Sequence, residues 1–299
     1  MYSKYADDDG QGKEIIVLPV PYEGAVSFGT GTKKGPMAIL RASLEIETWD
    51  EELGIDLLDV AKFNTLDYFE PTVAGPKYVF ESLYNYLKSN LDPAKEFLLT
   101  IGGDHSVALA PIKFYHDYYK DLFVLQIDAH CDLRDEFQGS KYSHGSVMAR
   151  VRDLDIPIIQ LGIRSLCRQE SKRLKKDLNI TTFFARDILD LSPQKVAKKI
   201  KEILNNRPLY LTFDVDGVDP SIVPGTGTPE PGGIPFFWLY DFWIHLFKQN
   251  ISLVGMDVCE LAPIPNQLVS ESTVVKFINR ILCAYLVFYN LKQPPYNNE

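Results

Sequence analysis

Apolar runs of strand length recur along the chain and alternate with segments that have a helical period. The strand-like runs are rich in Ile, Val, Leu and Phe and lie at residues 14–18, 55–60, 96–101, 122–127, 158–163, 180–184, 208–213 and 251–256. Helix-like segments lie between most of them, at residues 78–91, 107–119, 192–205 and 235–249. Strands that alternate with helices are typical of βαβ units, which build a parallel sheet with helices on both faces. We therefore predict an α/β fold around a mostly parallel sheet of about eight strands.

No polar or Gly/Ser-rich linker interrupts this alternation, so we predict a single domain over residues 1–299. Two turn-rich stretches, residues 24–35 and 220–235, should form ordered loops near the functional site. The stretch 274–288 is apolar but contains Lys276 and Arg280. These charges favour a packed amphipathic helix over a membrane span.

Composition narrows the possible partners and the compartment. The formal net charge is −9 and no long Lys/Arg run is present, which argues against a nucleic-acid surface and is compatible with a small cationic substrate. The first ten residues are polar and acidic. They lack the apolar core of a signal peptide, so we expect a cytoplasmic protein. The four cysteines form no CxxC pair, which indicates reduced thiols.

Acidic and histidine side chains follow three of the predicted strands where those strands end. Asp214 and Asp216 follow the run 208–213; being two residues apart, they would point to the same side and repel unless a cation lay between them. Similar groups follow the runs 96–101 and 122–127. The carboxyl ends of parallel strands meet at one edge of the sheet, where open α/β sheets bind ligands. The candidate metal ligands at these three ends are His105, Asp128, His130, Asp132, Asp214 and Asp216.

Each of these groups also has a purely structural interpretation. Asp214 and Asp216 would suit a solvated acidic turn, and Asp104 and His105 would suit the start of a helix. We interpret Asp104 as a helix cap, while the coincidence of three strand ends favours a metal site. A carboxylate-rich set with some imidazole favours Mn²⁺ or a related octahedral ion, whereas structural zinc would require thiolate. Because the candidates exceed what one ion recruits, some carboxylates should bridge two ions about 3.5 Å apart.

Two further residues are candidates for catalysis and substrate binding. His144 lies in a Ser-His-Gly loop, where an imidazole can shuttle protons at neutral pH, although it would also suit an ordinary loop. Glu260 follows the run 251–256 and could hold a cationic group by a charge-assisted hydrogen bond. The alternatives are a surface carboxylate at that position, or Asp257 in the same role.

Together, these motifs resemble those of the ureohydrolase family, the arginase and agmatinase group, over nearly the whole chain. Each motif is short, but their order along the chain is specific. The resemblance implies a three-layer α/β/α fold of the arginase type and a site with two Mn²⁺ ions. The motifs are Gly102-Gly-Asp-His-Ser106, Asp128-Ala-His-Cys-Asp132, Ser143-His-Gly145 and Phe213-Asp-Val-Asp-Gly-Val-Asp-Pro220.

The resemblance also implies roles for individual residues in the hydrolysis of a guanidino group. His144 matches the family's proton-shuttling histidine and Glu260 matches the glutamate that holds the guanidinium. For the reaction itself, we hypothesise that Asp132 passes a proton to the departing amine. One Mn²⁺ ion would be held by His105, Asp128, Asp132 and Asp214, and the other by His130, Asp128, Asp214 and Asp216.

Within the family, the chain is most similar to agmatinases, on the stretches Pro224-Gly-Thr-Gly-Thr-Pro-Glu-Pro-Gly-Gly233 and Val254-Gly-Met-Asp-Val-Cys-Glu260. We therefore expect hydrolysis of agmatine to putrescine and urea, a step of polyamine synthesis. Arg134 departs from the small polar residues of the arginase pattern, and its loop resembles members that act on N1-aminopropylagmatine. Guanidinobutyrate and arginine are further alternatives. Members of the family commonly form trimers or hexamers, and we expect a homotrimer or homohexamer.

Two other functions compete with this interpretation. Binuclear metallophosphoesterases also contain Asp-x-His and Gly-Asp-His fragments, but they would need an Asn ligand in a Gly-Asn-His setting, which this sequence lacks. A non-catalytic subunit or binding protein of the same family would have degraded chemistry, whereas every expected ligand is present here.

Overall fold

The computed structural model describes Met1, residues 13–24 and residues 27–290. The strands in this part are β1 (Lys13–Val20), β2 (Trp49–Asp50), β3 (Ile55–Asp56), β4 (Ala61–Thr65), β5 (Phe97–Gly102), β6 (Phe123–Ile127), β7 (Ile158–Ile163), β8 (Ile180–Phe184), β9 (Leu209–Asp214) and β10 (Leu253–Cys259). The α-helices are α1 (Gly35–Ala42), α2 (Leu57–Val60), α3 (Pro76–Asn90), α4 (Leu109–Tyr118), α5 (Val147–Asp153), α6 (Arg168–Leu174), α7 (Ala185–Leu189), α8 (Pro193–Leu204), α9 (Phe236–Phe247) and α10 (Val269–Asn290). Short 3₁₀ turns lie at Thr32–Lys34, His105–Ala108, His144–Ser146 and Val215–Gly217.

Eight strands form one sheet in the order β4-β1-β5-β10-β9-β6-β7-β8. Every neighbouring pair in this sheet is parallel, and β2 and β3 form a small antiparallel pair outside it. The predicted mostly parallel sheet of about eight strands is therefore confirmed. The last described strand along the chain, β10, lies in the centre of the sheet between β5 and β9.

Helices cover both faces of this sheet. Successive residues of a strand point to opposite faces, so Ile15 and Ile16 of β1 belong to two separate apolar cores. The core on the Ile15 side includes residues of α8, α9 and α10, and the core on the Ile16 side includes residues of α3, α4 and α5. This arrangement is the three-layer α/β/α fold that the resemblance implied.

The sequence around α8 shows how these covering helices are set locally. Ser192 caps the helix, and Pro193 occupies its first turn, where a missing N–H is not needed. Asn205 ends it in a left-handed conformation, with φ 46°. The buried stripe at helical spacing consists of Val196, Ala197, Ile200 and Leu204.

The prediction of a strand at residues 55–60 is wrong. Only Ile55–Asp56 is extended, because the Asp56 side chain then accepts a hydrogen bond from Leu58 N at 3.0 Å and caps the short helix α2. The edge strand of the sheet is β4 instead. The apolar run was therefore assigned to the wrong element.

The apolar stretch 274–288 lies within α10 and packs as predicted, since Val274 and Phe277 are fully buried. Arg280 is also 0% exposed, and its Nη1 donates to both carboxylate oxygens of Asp50 at 2.7 Å. The guanidinium carbon of Arg280 lies 3.9 Å from the centre of the Tyr240 ring. None of the helices in the described ranges combines the length and the apolar character needed to cross a membrane.

Candidate metal centre

The four central strands bring the predicted ligands to one edge of the sheet. β5, β10, β9 and β6 are consecutive neighbours, and the candidate ligands lie at or just beyond the carboxyl ends of β5, β9 and β6. Residues widely separated along the chain thus meet because their strands are adjacent and parallel.

His105 lies at the centre of the first group. Its Nδ1 is 3.0 Å from an oxygen of Asp132, 3.2 Å from one of Asp128 and 3.4 Å from one of Asp214. All four residues are buried. Although burial disfavours the imidazolium, hydrogen bonds with Asp128 and Asp132 raise the pKa of His105 well above its usual value.

His130 lies at the centre of the second group. Its Nδ1 is 3.0 Å from Asp216 Oδ2 and 3.6 Å from Asp128 Oδ1. Burial again opposes the charge, but the hydrogen bonds with Asp128 and Asp216 raise the pKa of His130 to about 12. The Nε2 atom faces the half-exposed Glu230, whose Oε1 is 3.9 Å away. The two groups share Asp128.

The local chain conformation explains why neighbouring ligands face the same point. Asp128 Oδ1 accepts a hydrogen bond from His130 N at 2.6 Å, and Asp214 Oδ1 accepts one from Asp216 N at 2.9 Å. Each of these aspartates therefore turns the chain through its own side chain as the strand ends. Asp132 has a left-handed backbone, with φ 52°, which aspartate tolerates better than most residues.

The residues present fit divalent metal ions. In each group, one ligand atom per residue lies within 4.8 Å of the others. Burial and the neighbouring Asp128 carboxylate raise the pKa of Asp132 to about 7. Burial, together with Asp216 and Asp128, raises the pKa of Asp214 well above its ordinary value. Crowded, buried carboxylates of this kind are costly unless cations compensate them, and carboxylate with imidazole suits octahedral ions.

Sequence reasoning missed several polar residues that hold these ligands in place. Gln126 Nε2 donates to Asp128 Oδ2 at 2.7 Å, and Thr228 Oγ1 donates to Asp216 Oδ2 at 3.0 Å. Gln126 lies two positions before Asp128, inside an otherwise apolar strand. A buried polar side chain on the same strand face as a candidate ligand is the signal that could have identified it.

A cavity of about 340 Å³ opens above the two groups. Its walls include His130, Asp132, Asp214 and Asp216 at the base, and Arg134, Phe137, His144, Cys167, Thr228 and Glu260 around them. Asp128 lies beneath this wall, fully buried. The candidates for metal binding, proton transfer and substrate binding therefore surround one space.

His144 borders this cavity at the start of a 3₁₀ turn. Its Nε2 is 2.7 Å from Ser27 Oγ, and its ring stands perpendicular to that of Phe137 with the centroids 5.5 Å apart. Burial lowers the pKa of His144, and the Asp104 carboxylate offsets this only in part. A neutral imidazole with a hydroxyl partner is suited to accept a proton.

Glu260 borders the cavity immediately after β10. Its Oε1 accepts a hydrogen bond from His105 N at 2.7 Å, and its own N–H donates to Gly103 O at 2.8 Å. The backbone is left-handed, with φ 67°, which is strained for glutamate and is typical of functional positions. Burial, followed by repulsion from Asp104, raises the pKa of Glu260 well above its usual value. A cation in the cavity would favour the ionised carboxylate.

Asp257, the alternative to Glu260, lies inside β10 and is 0% exposed. It does not border the cavity, so it is not placed to contact a substrate. Arg134 does border the cavity, and its guanidinium carbon lies 4.9 Å from the centre of the Phe137 ring. Asp104 is a cap as expected, since its side chain accepts from Ser106 N at 3.1 Å.

Comparison with known proteins agrees with this geometry. A model of the arginase family matches residues 13–284. The chain belongs to the arginase family. An N(1)-aminopropylagmatine ureohydrolase of Synechocystis sp. is 34% identical to this arginase-family chain over 272 residues, which cover 90% of the chain and 88% of the relative. An agmatinase of Bacillus anthracis is 32% identical over 279 residues, covering 91% of the chain and 92% of the relative.

The fold of this arginase-family protein is shared with solved structures. The crystal structure of an arginase from Bacillus subtilis superposes with a TM-score of 0.77 at 26% identity, covering 90% of this chain and 98% of that one. The expected family membership is confirmed, and with it the expectation of a ureohydrolase that acts on C–N bonds.

Proposed function

We propose that this arginase-family chain hydrolyses the guanidino group of agmatine to putrescine and urea, at a site that holds two Mn²⁺ ions. The observation that carries the proposal is the pair of histidine and aspartate groups that share Asp128 at the base of one cavity, beside Glu260. Relatives named agmatinase and N(1)-aminopropylagmatine ureohydrolase support a substrate that combines a guanidinium with an amine tail.

The ligand sets proposed for the two ions share Asp128 and Asp214. Divalent ions at this position would supply Lewis-acid chemistry, which lowers the pKa of a water molecule to about 7 and provides a nucleophile at neutral pH. A strong nucleophile is needed because a guanidinium carbon, with its charge delocalised, is a poor electrophile. The first set is His105, Asp128, Asp132 and Asp214, and the second is His130, Asp128, Asp214 and Asp216.

Glu260 is proposed to orient the guanidinium. Its Oε1 is held by the backbone N–H of His105 at 2.7 Å, which leaves Oε2 available to the substrate at the cavity wall. A carboxylate accepts two N–H groups of a planar guanidinium in a defined direction. The reacting carbon is thereby held in one orientation above the ligand groups, which is the contribution expected of a positioned anion.

Asp132 and His144 are proposed to move protons during the reaction. Asp132 borders the cavity, where its carboxylate could take up the proton that the attacking water loses and pass it to the departing amine. His144 would exchange protons between that amine and solvent, since its neutral ring lies at the cavity wall with Ser27 as a partner. The amine then leaves as an ammonium ion.

N(1)-aminopropylagmatine is the second candidate substrate, because the Synechocystis relative of that name is 34% identical to this chain. It differs from agmatine only in its longer amine tail. Both candidate substrates would place the same guanidinium at Glu260, so only contacts with the amine tail can make the protein prefer one of them.

The test is urea release by Mn²⁺-loaded protein on agmatine, N1-aminopropylagmatine, arginine, guanidinobutyrate and guanidine in parallel, with a chelator-treated control. We expect the highest kcat/KM for agmatine. A higher value for N1-aminopropylagmatine would transfer the proposal to that substrate. If none of the five substrates releases urea while metal is bound, the proposed function is refuted and the non-catalytic alternative is favoured.

A pair of histidine variants ties the activity to the site. His130→Ala should lose urea release together with bound metal, whereas His116→Ala, on α4 and away from the strand ends, should retain both. Full activity of His130→Ala with unchanged metal content would contradict the proposed ligand set. We also propose a cytoplasmic homotrimer or homohexamer on the family resemblance, and light scattering tests the assembly.

A further inference from the structure

A line of polar side chains continues behind His105, on the side away from the cavity. His105 Nε2 is 2.7 Å from Thr212 Oγ1, and Thr212 Oγ1 is 2.8 Å from Asp257 Oδ1. All three side chains belong to residues that are 0% exposed. The line therefore runs from the first ligand group into the interior of the sheet.

The donors in this line follow from the chemistry of its members. An ionised carboxylate only accepts hydrogen bonds, so with Asp257 ionised the Thr212 hydroxyl donates its single proton to it. The hydroxyl oxygen is then an acceptor toward His105, whose Nε2 must carry the proton. When a metal ion displaces the other ring proton, the lone pair therefore lies on Nδ1, the atom that faces the aspartates of the first group.

Two neighbouring strands fix the position of the Thr212 and Asp257 pair. Thr212 of β9 and Asp257 of β10 are direct partners in the parallel register. Both are therefore placed by the sheet itself and not by a loop. A carboxylate inside an apolar strand costs free energy unless it has a specific partner, and the Thr212 hydroxyl is such a partner for Asp257 Oδ1.

The second ligand histidine has a different environment. His130 Nε2 faces Glu230 at 3.9 Å, beyond hydrogen-bond distance, and its side chain is 25% exposed. Hydrogen-bond partners of His105 should therefore affect the affinity for one of the two proposed ions and not for the other.

We propose that Thr212 and Asp257, aligned behind His105 Nε2, are positioning residues that hold the His105 ring with Nδ1 directed at the first metal ion. The inference rests on the proposed function, because it presumes that His105 is a metal ligand. Such partners fix the tautomer and orientation of a ligating histidine and increase its basicity, and their loss typically lowers metal affinity by about 10- to 100-fold.

The test compares Thr212→Val, which keeps the side-chain shape but removes the hydroxyl, with Thr212→Ser, which keeps the hydroxyl. Thr100→Val is the matched control. Thr100 is a 0% exposed residue on β5, opposite Asp257 on the other side of β10 from Thr212. Its hydroxyl has no hydrogen-bond partner among the described residues. Mn²⁺ binding is measured by calorimetry and by competition with a chelator, independently of urea release.

We expect the wild-type protein and Thr100→Val to bind two ions with the same affinities. Thr212→Val should bind one ion normally and the other about 10- to 100-fold more weakly, with near-complete rescue in Thr212→Ser. Asp257→Asn retains the Thr212 hydroxyl and should weaken the same ion by a smaller factor, so it decides the question if Thr212→Val does not fold.

Unchanged affinities for both ions in Thr212→Val, or in Asp257→Asn if the first variant is unfolded, would overturn the inference. Equal weakening of both ions would also overturn it, because that result indicates general structural damage. A wild-type protein that binds no Mn²⁺ would instead refute the proposed function itself.

Discussion

Replacing Glu260 by Gln removes one hydrogen-bond acceptor from the cavity wall and adds a donor. The carboxylate faces donors on both sides: Oε1 accepts from the backbone N–H of His105 at 2.7 Å, and Oε2 is proposed to accept from the substrate guanidinium. A glutamine has a single acceptor oxygen. Its NH₂ group must therefore face either the His105 N–H or the guanidinium. In either case, two hydrogen-bond donors point at each other.

The size of the effect follows from these contacts. Losing a hydrogen bond to a charged partner costs about 1.5–3 kcal/mol, and leaving a buried donor without an acceptor costs about 1–3 kcal/mol more. The transition state for guanidino hydrolysis should therefore lose about 2.5–6 kcal/mol of stabilisation. At about 1.36 kcal/mol for each factor of ten, kcat/KM for urea release should fall by roughly 10²- to 10⁴-fold.

The assay measures urea release and bound Mn²⁺ on the same samples. Glu260 is outside both proposed ligand sets, so Glu260→Gln should keep its metal content. Glu271→Gln is the matched control, because Glu271 is also buried, at 6% exposure, but lies on α10 away from this cavity. We expect wild-type kcat/KM for the control.

Two results would refute this reasoning. Activity of Glu260→Gln within about threefold of the wild type, a change of less than 1 kcal/mol, would show that Glu260 does not hold the guanidinium. Parallel loss of activity and of Mn²⁺ would show instead that Glu260 acts through the metal ligands.

Two further predictions concern metal binding and stability. Because the pKa values of His105 and His130 are raised, both rings are protonated at neutral pH in the metal-free protein; Mn²⁺ binding should release protons and strengthen as pH rises from about 6 to 8. Calorimetry in buffers of different ionisation enthalpy measures this release, and buffer-independent heats would contradict it. Arg280→Met should lower the free energy of unfolding by about 3–5 kcal/mol, because Asp50 is left buried without its cation. In urea denaturation, the double variant with Asp50→Asn should lose less than Arg280→Met alone; an additive loss would show that the two residues are not coupled.

The predictable parts of the fold are the strands that are buried on both faces, because burial requires a continuous run of apolar residues there. Residues 158–163 were predicted as a strand and form β7, because every residue in that strand is buried and apolar runs mark such strands. The edge strand β4 was not predictable in this way. Lys62, Asn64 and Thr65 are not buried, so the sequence of β4 lacks an apolar run. The apolar run before it forms a short helix instead of a strand, because Asp56 caps that helix.

The candidate ligands were predictable because they are polar residues at the ends of apolar strands. The residues behind them were not, because their contacts depend on the order of strands in the sheet. Asp257 and Thr212 are 45 positions apart and meet only since β9 and β10 are neighbours. Chain order does not give that adjacency. An acidic residue within an otherwise apolar strand was the available signal, but it did not identify the partner.

The central position of β10 has a consequence for when the proposed metal site can form during synthesis. Without β10, the sheet consists of two separate halves, β4-β1-β5 and β9-β6-β7-β8. His105 belongs to the first half, whereas Asp128, Asp132 and Asp214 belong to the second. A growing chain cannot join the halves until the segment near residue 259 has left the ribosome, and parallel pairing between distant segments is slow. Binding of the first ion, whose proposed ligands come from both halves, would stabilise only the joined state. It would therefore follow the synthesis of β10 and hold the two halves together.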